Sequence, residues 1–289
     1  MASTREIRRR IRSVANIAKI TRAMETVAAS RMRKAQNQVM ASRPYSEGLR
    51  AMIGDLASGV SQDQALREFP LLAERPNIRA RAVVLVTPDK GLVGPLNSNI
   101  FRRVGRFLRE DAAGHDVEFI TIGKKGRDFM RRTRREIAAE AINLGSNPSP
   151  ASISGAVKVA IDDFTTGKVD SVHLVFPRFV NTLSQVPDVV QLLPVPRPES
   201  TGKYRDFIFE PDQQTVLNEL LPRYVEGVVY QALLDTIASE FSARMVAMRS
   251  ASDNAKELGR DLSLTYNKVR QASITAEVAE ISAGANASR

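Results

Sequence analysis

FSARMVAMRSASDNAKELGRDLSLTYNKVRQASITAEVAEISA, residues 241–283, carries a strict 4-3 spacing through Phe241, Met245, Met248, Ser252, Ala255, Gly259, Leu262, Tyr266, Val269, Ser273, Ala276, Glu280 and Ala283. That is a heptad seam, in which two positions in seven face a partner helix. Many of these residues are small, so the partner approaches closely; Leu262, Tyr266 and Val269 make a bulkier knot. The seam sits in a proline-free stretch, 223–289. As one helix, that stretch spans roughly 100 Å at ~1.5 Å per residue. A globular domain of ordinary size is much narrower, so the helix needs a partner of similar length.

Residues 1–43 also lack proline and supply that partner. Ile7, Ile11, Val14 and Ala18 repeat the 4-3 spacing. The apolar stripe then drifts to Ile20, Met24, Val27 and Ala28 and returns through Met32, Ala35 and Val39. A drifting stripe fits a 3.6-residue period, which predicts a gently twisted two-helix contact. Thr4, followed by Glu6 and Ile7, offers an N-cap. The plainer alternative is a pair of amphipathic helices from an ordinary bundle, but no third helix of comparable length is evident.

Between the ends, strands and helices alternate. RAVVLVT (81–87) is a buried-strand pattern, followed by the loop PDKGLVGP (88–95) and a helix over 96–113. DVEFITI (116–122) is a second strand, ended by Gly123, and a short helix follows over 126–132. Residues 137–144 have an ambiguous strand pattern. Ser149 or Ser152 caps a helix reaching Phe164. VDSVHLVF (169–176) is a strand closed by Pro177, and 191–195 is an edge strand among prolines. Such alternation implies a largely parallel sheet with right-handed crossovers.

Composition narrows the function. The 289 residues hold no cysteine, which excludes disulfides, thiolate metal sites and a cysteine nucleophile, and only two histidines. No apolar run is long enough to span a membrane. The opening MASTREIRRRIRSV is charged from the start and lacks the apolar core of a secretory signal, so none is expected. The net charge of +10 calls for an acidic partner: nucleic acid, anionic lipid or an acidic protein surface. A basic helical nucleic-acid-binding protein is the main alternative reading. Against it, the chain has no tryptophan and few aromatics among its basic runs, so a stacking platform is missing. Arg8, Arg9, Arg10 and Arg12 read as a solvated helix face.

The glycine loops invite a nucleotide, or a small-molecule enzyme built around one. Gly91-x-x-Gly94 between strand and helix places backbone N–H groups near a helix start. It is neither GxxxxGK[ST] nor GxGxxG, and Gly123-Lys124-Lys125-Gly126 has the wrong spacing. Asp162-Asp163 and the pair Glu136 and Glu140 have no partners at metal-ligand spacing. No serine, histidine or metal motif of hydrolases is present. No cofactor, metal or catalytic residue is therefore expected.

Five segments carry a resemblance: KITRAMETVAASRMRKA (19–35), DKGLVGPLNSN (89–99), the stretch from FEPD (209–212) through LPRYVEGVVYQALL (221–234), ARMVAMRSASDNA (243–255) and LTYNKVRQASITAEVAEI (264–281). In this order they resemble the gamma subunit family of F-type ATP synthase over the whole chain. The resemblance implies a long antiparallel, left-handed coiled coil of the N- and C-terminal helices plus a central Rossmann-like α/β domain. The implied segments are 1–58, pairing with 209–289, and 76–200 between them. It implies a non-catalytic central-stalk rotor that couples ion-driven rotation of the membrane c-ring to three catalytic sites on a hexamer of catalytic and non-catalytic subunits. The epsilon subunit is a further implied partner. The implied location is peripheral, on the cytoplasmic face of a bacterial plasma membrane or its organellar equivalent, without insertion of this chain.

The resemblance also assigns residues. Arg270 and Gln271 match positions that hydrogen-bond a catalytic-subunit loop, where an arginine fork suits carboxylates. Met24 matches a position near the acidic contact region, and Lys90 lies in the loop close to the lower rim of the hexamer. Phe209 and Glu210 match the foot that touches epsilon and the ring. Residues 276–289 are the implied tip, turning in an apolar sleeve. Two positions depart from the family pattern: Val93 stands where cysteine is usual, and Pro95 where glycine is usual. The proline stiffens that turn, and the absence of cysteine removes thiol redox control.

Overall fold

The computed structural model describes residues 4–57, 60–196, 210 and 212–287, with 284–287 as backbone only. The elements are α1 (Thr4–Ala57), α2 (Gln62–Glu68), a 3-10 turn (Pro70–Leu72), β1 (Ala80–Val86), α3 (Leu96–Glu110), β2 (Asp116–Ile122), α4 (Lys124–Arg132), β3 (Ile137–Ala141), α5 (Ala151–Thr165), β4 (Ser171–Phe179), β5 (Gln185–Leu193) and α6 (Gln213–Ala287). Two compact units result. One is Met1–Ala28 with Arg244–Arg289, and the other is Ala29–Ala243.

In the first unit, α1 and α6 run antiparallel. Arg8 Nη2 donates to Tyr266 Oη at 3.0 Å, and Ser252 Oγ donates to Ala18 O at 3.4 Å. Between those two levels Gly259 faces Val14, where an added Cβ would lie 3.8 Å from Cγ1. The small residues of the seam therefore do set a close approach. The apolar stripe of α1 does not drift, however. Its sheltered positions continue as Ile7, Ile11, Val14, Ala18, Thr21 and Ala28, whereas Ile20 and Val27 are 59% and 53% exposed. Thr21 explains the difference. Its hydroxyl donates to Ile17 O (2.9 Å) and Ala18 O (3.2 Å), so a polar residue takes a seam position without an unsatisfied group.

On α6 the seam is buried at Met248, Ser252 and Ala255 and half-buried at Met245, Gly259, Leu262, Tyr266 and Val269. Ser273, Ala276, Glu280 and Ala283 are exposed. The reason is length. Tyr266 already stands opposite Arg8, close to the start of α1 at Thr4, so α6 outruns its partner among the described residues.

The second unit is built on a sheet of order β3-β2-β1-β4-β5. The first four strands are parallel, and β5 is antiparallel to β4. Both faces of β1 are covered, as expected for a parallel sheet. Val83 and Leu85 pack with Ile100, Val104 and Phe107 of α3. Their neighbours Ala82, Val84 and Val86 point to the opposite face and are equally buried. Glu118 of β2 marks α5 on that face, through Lys168, whose Nζ also reaches Asp163 of α5.

Both long helices pass through a proline, Pro44 in α1 and Pro222 in α6, and three local expectations change elsewhere. An interior proline costs about 3 kcal/mol, which tertiary packing of a long helix offsets. β4 continues past Pro177 to Phe179. Its pairing with β1 ends at Val175, and Pro177 then faces Pro187 of β5, so the missing N–H breaks no ladder bond to β1. The edge strand starts at Gln185, much earlier than expected, and forms a hairpin with β4. Finally, α5 is preceded by Pro150 with no side-chain cap, and Ser152 Oγ instead donates to Ser149 O at 2.6 Å.

Candidate partner-binding site

The carboxyl edge of the parallel sheet is where α/β proteins usually hold a ligand. Here the chain fills that place itself. Thr87, just past β1, accepts a hydrogen bond from Gly126 N at its Oγ1 (2.8 Å), and Pro88 O accepts one from Lys125 N (3.2 Å). Asp89 Oδ1 accepts from Lys124 N (2.8 Å), and its Oδ2 accepts from Leu144 N beyond β3 (3.0 Å). Arg127 N donates to Gly123 O. Each N–H from Lys124 to Arg127 therefore has an acceptor within the chain. The positive end of α4, a ready anion site in other proteins, is occupied by the Asp89 carboxylate. Gly123 is obligatory in this turn: its φ is 103°, and an added Cβ would stand 1.9 Å from Thr87 O. Gly123 thus serves a tight strand-to-helix turn.

The consequence falls on the next residue. Asp89 fixes the loop to two other segments, and Lys90 projects from it into solvent. The α4 turn brings Lys124 and Lys125 beside the same loop; a Cβ on Gly91 would lie 3.9 Å from Lys125 Cε. The result is a rigid basic ledge suited to a carboxylate-bearing partner. Val93 is buried in the core with Val83, Leu85 and Ile100, between the positive-φ residues Leu92 (62°) and Gly94 (54°). Pro95 precedes α3 with φ −82°, a value proline adopts without strain.

The other expected contacts are spread out. Arg270 and Gln271 are exposed on α6, just beyond the last half-buried seam residue, Val269. Met24 is half-buried on α1, beyond Ala18 and away from Arg270. At ~1.5 Å per residue the two levels are roughly 35 Å apart along the helix pair, so they do not share one contact point. Glu210 is exposed just before α6, and Phe209 lies outside the described residues. Sequence reasoning missed Thr87 and Asp89, the residues that hold the ledge, and the Arg8–Tyr266 clasp, whose guanidinium carbon lies 5.5 Å from the ring centroid.

No helix among the described residues is long and apolar enough to cross a membrane. They also hold no group of three or more histidine, aspartate or glutamate side chains placed to bind a metal ion.

A family model described as ATP synthase matches residues 3–287. An ATP synthase gamma chain of Roseiflexus castenholzii is 52% identical over 289 residues, covering 99% of both chains. One from Chloroflexus aurantiacus is 50% identical over the same span and coverage. The fold is similar to a chain in the rotor of Euglena gracilis mitochondrial ATP synthase, with a TM-score of 0.64 at 18% identity, covering 94% of this chain and 98% of that one. None of these similarities supports the nucleic-acid reading.

Proposed function

This chain belongs to the ATP synthase gamma chain family, and we propose that it is the central-stalk rotor of such a complex. The observation that carries the reading is the antiparallel helix pair whose α6 extends past its partner. A shaft acts by shape and contact and needs no catalytic group of its own; the chemistry belongs to the surrounding catalytic subunits. Ion flow turns the c-ring and the rotor with it, and the asymmetric shaft drives three catalytic sites through their conformations in turn. The complex sits peripherally on a membrane through the ring, on the cytoplasmic face in a bacterium.

In this reading Arg270 and Gln271 hydrogen-bond a catalytic-subunit loop, and Met24 meets the hexamer at a separate level. Lys90, backed by Lys124 and Lys125, faces acidic groups at the lower rim. Phe209 and Glu210 belong to the foot against epsilon and the ring. Segments 1–58 and 209–289 supply the shaft, and 76–200 the α/β body. The exposed Ile274, Val278 and Ile281 suit an apolar sleeve.

The test is ATP hydrolysis by a hexamer reconstituted from cognate catalytic and non-catalytic subunits, with the full chain and with a chain ending at Leu262. The expected result is one chain per hexamer, turnover raised by the full chain, and a loss of that gain on truncation. A chain that leaves the hexamer unbound and its turnover unchanged overturns the reading.

A further inference from the structure

A second recess lies within the Ala29–Ala243 unit, between α1, α6 and the β4–β5 hairpin. It is a cavity of about 380 Å³, large enough for a small organic ligand. Leu174, Phe176, Phe179, Tyr224 and Val228 form apolar and aromatic walls. Asp235 also lines it; the residue is only 7% exposed, and its Oδ1 has no hydrogen-bond partner. Its neighbours Gln231 and Ser42 are engaged with each other. Ser42 Oγ donates to Gln231 Oε1 at 2.6 Å, and the Gln231 side chain hydrogen-bonds the Asp235 carboxylate. One buried carboxylate oxygen at the wall of an aromatic cavity is therefore left without a donor, a costly arrangement.

The charged and titratable groups facing Asp235 come from every side. Arg43, Glu47 and Arg50 are on α1, Tyr224 is on α6, and Arg178 of β4 is tied to Asp188 of β5. Arg43 and Arg178 pull the Asp235 pKa down, but burial outweighs them and holds it at about 6. The carboxylate is thus mainly ionised near neutral pH while lacking a bonded cation.

We propose that this cavity is a binding site for a small aromatic cation, an aryl amine or amidine, whose head donates to Asp235 and whose ring packs against Phe176 and Tyr224. Ring faces attract a cation, and a charge-assisted bond would satisfy the open oxygen.

The test uses the full-length chain alone, with benzamidine as probe and neutral benzamide as control, followed by ligand-observed saturation-transfer NMR. Benzamidine is expected to bind in the millimolar range at about pH 7.5 and benzamide not to bind. Asp235→Asn, nearly isosteric, is expected to weaken benzamidine about tenfold or more, since the bond lost is a charged one. Circular dichroism checks that this variant is folded. In the unaltered chain, affinity is expected to fall several-fold between about pH 7.5 and about pH 5 as Asp235 takes up a proton, while benzamidine stays cationic. Absence of binding, equal binding to Asp235→Asn, or pH-independent binding overturns the proposal. No other subunit is needed, so its failure leaves the rotor reading untouched.

Discussion

Replacing Asp89 with alanine isolates the device that holds Lys90. The substitution removes two acceptors at once, those of Lys124 N (2.8 Å) and Leu144 N (3.0 Å). A hydrogen bond to an ionised group contributes about 1.5–3 kcal/mol. A carboxylate at a helix start adds about 0.3–1 kcal/mol. The bond to Lys124 is solvent-exposed and the one to Leu144 only partly buried, so the lower end applies to each. Asp89→Ala is therefore expected to cost about 3–4 kcal/mol of stability in the α/β unit. Asp89→Asn keeps one carbonyl acceptor but turns an NH2 group toward the second N–H, so it should fall between alanine and the original residue. Urea unfolding followed by circular dichroism gives the total. Native-state hydrogen exchange locates it: the amides of Lys124 and Leu144 should lose protection, while Gly126, bonded to Thr87, should keep it. If alanine shifts stability by less than about 0.5 kcal/mol and both amides stay protected, the carboxylate is not what holds the loop.

Gly123→Ala should cost more than about 3 kcal/mol, read as loss of soluble folded chain, because the new methyl meets Thr87 O at 1.9 Å and the φ of 103° is itself strained. The seam register predicts a contrast between neighbours. Ala28→Asn, at a buried position, should lower the melting temperature by several degrees, while Val27→Asn, at an exposed one, should change stability by no more than about 0.5 kcal/mol. Two groups, one buried and one half-buried, should give opposite pH slopes in thermal melts. Burial raises Asp235 from 3.8 to about 6, so the stability linked to it is full below about pH 4, is lost as pH rises through 6, and disappears as a slope in Asp235→Asn. Burial against β1 and Phe107, helped by Arg81, lowers His173 from 6.5 to about 4, so its contribution is full above about pH 6.5 and lost as pH falls through 4; His173→Gln should remove that slope alone.

The helix pair was legible because a 4-3 repeat states both a helix and a partner, and apolar strand runs between glycines state a parallel sheet. What stayed hidden depended on context beyond the local pattern. Thr21 has no place in the apolar stripe read from sequence, because its hydroxyl bonds, to Ile17 and Ala18, exist only once the helix has formed. Pro177 looked like a strand end because sequence does not show that β4 outlasts its pairing with β1. Asp89 carries no local signal of its role because its two partners lie 35 and 55 residues away. The hairpin of β4 and β5 was missed for a similar reason: Gln185, Val186 and Pro187 carry little apolar alternation, and their pairing to β4 defines them as strand.

The two units reach rigidity by different means, and each suits a part that transmits force. In the α/β unit, the crevice that elsewhere receives a phosphate is filled by Asp89, so the loop bearing Lys90 is braced without a ligand and does not depend on one. In the helix pair, bracing comes from the seam and ends with it. Beyond Val269 every described side chain of α6 through Ala283 is exposed, including Ile274, Val278 and Ile281. A lone helix of that length is marginal in water, and its apolar residues gain nothing from solvent. In the proposed rotor role, a helical end with exposed isoleucine and valine, and with Arg270 and Gln271 at its root, fits an enclosing partner that covers the apolar side chains and receives the arginine.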